Sequence, residues 1–91
     1  MPLPLGQKDF HAERETIEDQ LRLQLFMAGG EYQDAKTRYQ EARKLHAELG
    51  PGHADGGYAL RLALKQENEA RRIYTERLRA FTDFILTGKL P

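Results

Sequence analysis

The side chains able to carry out chemistry in this chain are three histidines, four tyrosines and charged residues of both signs, for there is no cysteine and no serine. Without cysteine the chain has no thiolate metal site, no disulfide framework and no thiol nucleophile. The histidines are His11, His46 and His53. Di-iron helical bundles place a glutamate three residues before each ligand histidine, and here those positions hold Lys8, Arg43 and Gly50. The HExxH pattern of zinc peptidases is missing as well. His46 falls at the basic C-terminal end of a helix, where packing and the helix dipole account for it, and His53 falls in a loop. The sequence predicts no catalytic, cofactor-binding or metal-ligating residue, and therefore no enzyme.

Charged and aromatic groups have equally plain structural roles. Glu67 and Arg77 fall within an apolar helical face, where such residues pair or extend their charge to the surface, and Tyr39 comes close to Glu67 in the register derived below. Tyr32, Tyr39 and Tyr74 recur at helical spacing, as core aromatics do. Arg71, Arg72, Arg77 and Arg79 make a basic stripe, but acids flank it, and the whole chain balances 14 Lys+Arg against 14 Asp+Glu. A neutral chain lacks the electrostatic footprint of a nucleic-acid binder. Nucleic acid is thus a remote alternative partner.

These residues are positioned by two long apolar stripes. In the first, Leu21, Leu25, Ala28, Tyr32, Ala35, Tyr39, Ala42, His46 and Leu49 follow one another in alternating steps of four and three. That spacing marks one face of an α-helix packed lengthwise against another helix. Asp9, or the run from Thr16 to Asp19, is suited to cap its start, and residues 1–8 are expected to form a flexible arm. Gly29 and Gly30 interrupt good helix formers at a cost of about 1 kcal/mol each relative to alanine. The stripe nonetheless crosses them in phase, which favours one continuous helix over a helix kinked or broken there; a break would give a three-helix alternative. Leu49-Gly50-Pro51 ends the helix with a left-handed cap followed by a residue that cannot continue.

Residues 50–57 are expected to form the inter-helix loop. A second helix is then predicted from about Tyr58 to Thr87, closed by Gly88, with a stripe of Leu60, Ala63, Ala70, Tyr74, Leu78, Phe81 and Ile85 flanked by Ala59, Ile73 and Phe84. Folding one helix back on the other places Leu49 near Ala59, Ala35 near Ala70, Tyr32 near Tyr74 and Leu21 near Ile85. The acidic start of the first helix (Glu13, Glu15, Glu18, Asp19) then faces the basic end of the second. The fold class predicted is all-α, an antiparallel, coiled-coil-like helical hairpin, with residues 1–91 forming one small domain.

A lone hairpin leaves apolar groups over. Phe10 and Ile17 are expected to overhang the shorter second helix. Leu23, Phe26 and Met27 make the first helix apolar all round, and Phe84 and Leu86 repeat this at the adjoining end. Exposed apolar patches of this kind mark partners. Phe10, Ile17, Leu23, Phe26, Met27, Phe84 and Leu86 are therefore the candidate interaction surface, and the expected partner is a protein, either a second copy or another helical chain. No run reaches the roughly 18 apolar residues of a membrane span, and the start lacks the pattern of a signal peptide, so no membrane partner and a cytoplasmic location are expected.

Residues 30–55 carry one family likeness. Gly30, Tyr32 and Ala35, followed by Tyr39 and Ala42, resemble the second half of a tetratricopeptide repeat, and Leu49-Gly50-Pro51-Gly52-His53-Ala54-Asp55 is similar to the linker between kinesin-light-chain-type repeats. The resemblance implies stacked helix pairs, a turn at Gly29-Gly30 and a peptide-binding surface. It covers roughly 26 residues, and Tyr58 to Thr87 lacks the turn that a further repeat would need. From the residues themselves, the expected function is a small helical interaction or scaffold module that self-associates; the alternative is a tetratricopeptide-like peptide-binding fragment.

Overall fold

A computed structural model of the chain describes the backbone of residues 5–50, 52 and 54–90, and their side chains from residue 12 onward apart from residue 54. The architecture is an antiparallel pair of α-helices, α1 (Leu5–Leu49) and α2 (Ala54–Thr87), with no strand among the described residues. The pair is long and thin, 79 × 16 × 15 Å. Both helices end as their glycines dictate. Gly50 adopts φ +84° and donates its N–H to the His46 carbonyl at 3.0 Å, while Gly88 adopts φ +72° and donates to the Phe84 carbonyl at 2.8 Å. A left-handed residue just past the last turn satisfies carbonyls that a helix end would otherwise leave open.

Helix α1 is continuous through Gly29 and Gly30, so the broken, three-helix alternative does not hold. Its start lies further back than expected: Leu5 to Lys8 belong to the helix rather than to an arm, and Asp9 sits inside it. Thr16 does not cap a helix either; its hydroxyl donates back to the Ala12 carbonyl at 2.9 Å within the same helix.

Helix α2 begins at Ala54, so residues 54–57 of the expected loop belong to the helix instead. The physical reason is close approach rather than flexibility. Gly56 is buried, and a methyl group added there would lie 3.4 Å from Leu49 Cδ1 and 3.6 Å from His46 Nδ1. Near the connector, Leu49 meets Gly56 instead of Ala59.

Between the helices lies a narrow core. Among the described residues the buried hydrophobic ones are Leu21, Ala28, Ala35, Ala63 and Phe84, three of them alanines. Around them Tyr32 and Tyr74 stack with ring centroids 5.8 Å apart, as the matching of layers predicts. Gly29 makes room for that stack, since a methyl on it would stand 3.4 Å from Tyr74 Cε1. The α2 seam keeps its four–three alternation through Gly56, Leu60, Ala63, Glu67, Ala70, Tyr74, Arg77, Phe81 and Phe84. Consequently Leu78 and Ile85, expected on the seam, are exposed, and Phe84 is buried in their place.

Ion pairs across the seam are also not what the charge pattern predicts. Glu18 and Asp19 pair with Arg22 of their own helix, and Arg72 pairs with Glu69 and Glu76 of its own. Neighbours three or four residues apart are already placed to meet. What crosses the seam is arginine over aromatic rings: Arg14 over Phe84, Arg22 over Phe81 and Arg71 over Tyr32, each within 5.9 Å of the ring centroid. Such contacts are worth roughly 0.5–1 kcal/mol at exposed sites.

Two substitutions test this packing by urea unfolding of dilute protein. Ala35→Leu is expected to lower stability by about 1–3 kcal/mol through overpacking. Gly30→Ala, with no atom within 4 Å of the new methyl, is expected to raise it by about 1 kcal/mol, and Gly29→Ala by less because Tyr74 must give way.

Candidate interaction surface

Apolar side chains on the back of α1 cannot reach α2. Leu23, Phe26, Met27 and Gly30 stand at i, i+3, i+4 and i+7, the spacing of a single helical face. That face points away from the seam of Leu21, Leu25 and Ala28. Leu23 is 58% exposed, Phe26 77% and Met27 56%. They lie within Leu23–Gly30, eight consecutive residues without a charge in a chain that is 31% charged. Phe26 borders a mostly apolar, open cleft of about 510 Å³ that Leu25, Gly29, Gly30, Tyr32 and Tyr74 help to line. The cleft exists because Gly29 and Gly30 have no side chains to fill it.

The remaining candidates are distributed differently. Leu86 is 76% exposed at the far end of α2. Phe84 is only 3% exposed and belongs to the core, which corrects its place on the interaction surface. Ile17 does not overhang; it is half-buried and shares a smaller cleft with Arg14, Phe84 and Leu90. The side chain of Phe10 lies outside the described residues. Leu64, Leu78 and Ile85, each 40–42% exposed, make an outward row on α2 at seven-residue multiples. Carrying the strict alternation through Arg77, despite its charge, was the signal that could have placed them outside the seam.

Glu67 is the one buried charged residue among the described residues. Its carboxylate accepts from Arg71 Nη2 at 2.7 Å, and Arg71 Nε donates to the Tyr32 hydroxyl at 3.2 Å. The arginine thereby ties a buried acid on α2 to an aromatic on α1, in the role expected for Tyr39. Arg72 bridges Glu69 and Glu76, and Arg77 donates to Gln24 of α1 at 3.2 Å. Three arginines of the basic stripe are thus engaged within the molecule. The Arg72 guanidinium, through a hydrogen bond and its charge, holds the Glu69 carboxyl below its ordinary value. Among the histidines, His46 has a buried Nδ1 with no hydrogen-bond partner, beside Gly56. No cluster of three or more potential metal ligands occurs among the described residues, and no helix is long and apolar enough to cross a membrane.

The chain exposes 7403 Å². A compact monomer of its mass, 10.5 kDa, exposes roughly 5,400 Å², an excess of about 2,000 Å². Comparison with known proteins finds no family, no curated protein and no solved structure that matches this chain.

Two measurements test the polar side of the site. Arg71→Met strands the Glu67 carboxylate and is expected to cost about 1–3 kcal/mol, whereas Glu67→Met/Arg71→Met, with both partners apolar, should recover most of the loss in urea unfolding. A carboxyl whose folded value is depressed adds stability above its unfolded pKa, near 4.5 for Glu69, and loses it as the pH falls through the folded value. Arg72→Gln should therefore flatten the acid limb of stability against pH below about 5.

Proposed function

We propose that this protein is a small helical protein–protein interaction module, a scaffold that acts by packing helix against helix and that associates with itself. The observation that carries this reading is the uncharged, exposed apolar face of α1 at Leu23, Phe26 and Met27, set on a hairpin whose own core is built mostly from alanines. Apolar surface left outside a thin core stabilises a molecule only when something covers it, at about 25 cal/mol for each Å² removed from water. The excess of about 2,000 Å² per chain, about 4,000 Å² over two copies, falls within the roughly 2,000–5,000 Å² that obligate homodimer interfaces bury over both partners. Balanced charge permits copies to meet without long-range repulsion.

The peptide-binding alternative drawn from the tetratricopeptide resemblance needs a turn at Gly29-Gly30, where α1 runs on unbroken. Nucleic-acid binding would have to free Arg71, Arg72 and Arg77 from their present partners. Neither has an observation in its favour to match the α1 face.

Sedimentation equilibrium tests the reading. The wild-type chain is expected to show a mass above 10.5 kDa that rises with concentration, and Leu23→Glu/Phe26→Glu to return to the single-chain mass with unchanged helicity. A wild-type chain that stays at the single-chain mass up to millimolar concentration would overturn it.

A further inference from the structure

The far sides of the two helices carry rows of equal spacing and opposite charge. On α1, Met27, Asp34, Glu41 and Glu48 recur every seven residues, and on α2 so do Lys65, Arg72, Arg79 and Leu86. Side chains seven residues apart share one face of a helix. All eight are exposed, turned away from the seam that joins the hairpin. Laid antiparallel with Arg72 level with Glu41, one row meets the other pair by pair: Lys65 against Glu48, Arg79 against Asp34 and Leu86 against Met27. On the adjoining rows Glu69 comes level with Lys44, and Glu76 and Asp83 come level with Thr37 and Gly30, so no like charges meet. Neighbouring registers do worse. Sliding by seven residues sets Leu86 against Gln20 or Asp34. A slip of one turn, three residues one way or four the other, sets Glu69 and Glu76 against acids of α1.

Resting on the proposed self-association, we infer that the outer face of α2 in one copy docks antiparallel on the outer face of α1 in a second copy, with Lys65, Arg72 and Arg79 on Glu48, Glu41 and Asp34 and with Leu86 covering Met27 beside Leu23. Each exposed ion pair adds little affinity. The contact of Leu86 with Met27 and the aliphatic stems of the cations remove apolar surface from water, while the charges select the partner and fix the register. A second copy is the occupant because one chain supplies both complementary rows. The two faces point in opposite directions, so a contact between two copies leaves one of each face unused. A head-to-tail contact of this kind does not close at a pair.

Exchanging the charges of two pairs tests the contact while leaving the ion pairs of Arg72 with Glu69 and Glu76 in place. In sedimentation equilibrium the wild-type mean mass is expected to pass twice 10.5 kDa as concentration rises. Asp34→Arg/Glu48→Lys and Lys65→Glu/Arg79→Glu, measured separately, should each weaken association by about tenfold or more, because like charges then meet, with helicity retained in circular dichroism. An equimolar mixture of the two variants has opposite charges at every contact between unlike chains and should return to the wild-type mass. Mass regained on mixing cannot come from refolding, since neither chain repairs the other's helices. If either variant associates as strongly as the wild type, if the mixture stays dissociated, or if the wild type stops at two chain masses, this docking is wrong and the broader reading stands. A wild type that never associates removes both.

Discussion

Small residues set the distance between the two helices, and most other features of the molecule follow from that distance. Ala28, Ala35 and Ala63 are buried on the seam, and Gly56 closes it at the connector end. Helices packed on alanine and glycine approach more closely than helices packed on leucine, which leaves little room for large side chains between them. Only where Gly29 recedes can two tyrosines stack across the gap. Phe84 is accommodated at the opposite end, beneath Arg14.

The same closeness explains where the apolar residues go. A two-helix layer has one internal surface, and here alanine and glycine take up much of it. Leucine, isoleucine, phenylalanine and methionine must then stand on outer faces, as Leu23, Phe26, Met27, Leu78 and Ile85 do. The hairpin is thus tightly joined and at the same time incompletely covered. Arginines partly offset this, since the guanidinium groups of Arg14, Arg22 and Arg71 lie over the rings of Phe84, Phe81 and Tyr32.

What was legible in the sequence is what depends on local pattern. The alternation from Leu21 to Leu49 gave the long first helix and its continuity across Gly29-Gly30, and the glycines at positions 50 and 88 gave both helix ends. The layers around the connector were less legible, because glycine is ambiguous. The pair at 56–57 carries the composition of a loop, yet both residues lie inside α2, where Gly56 allows close approach to Leu49 and His46. Phe84 was misplaced for a related reason. Following hydrophobic residues alone steps from Tyr74 to Leu78, whereas the backbone period continues through Arg77. The cross-seam arginine contacts could not be read either, since acids three or four residues away on the same helix compete for every arginine and the outcome depends on the register.

The account rests on Ala35 and the Tyr32–Tyr74 stack lying inside the seam, and a nuclear Overhauser experiment on the chain in solution examines that most directly. Cross-peaks between the Tyr32 and Tyr74 ring protons, and between the Ala35 methyl and protons of α2, are the predicted result. Their absence, with the Ala35 methyl in contact with water, would contradict the close-packed hairpin and everything built on it.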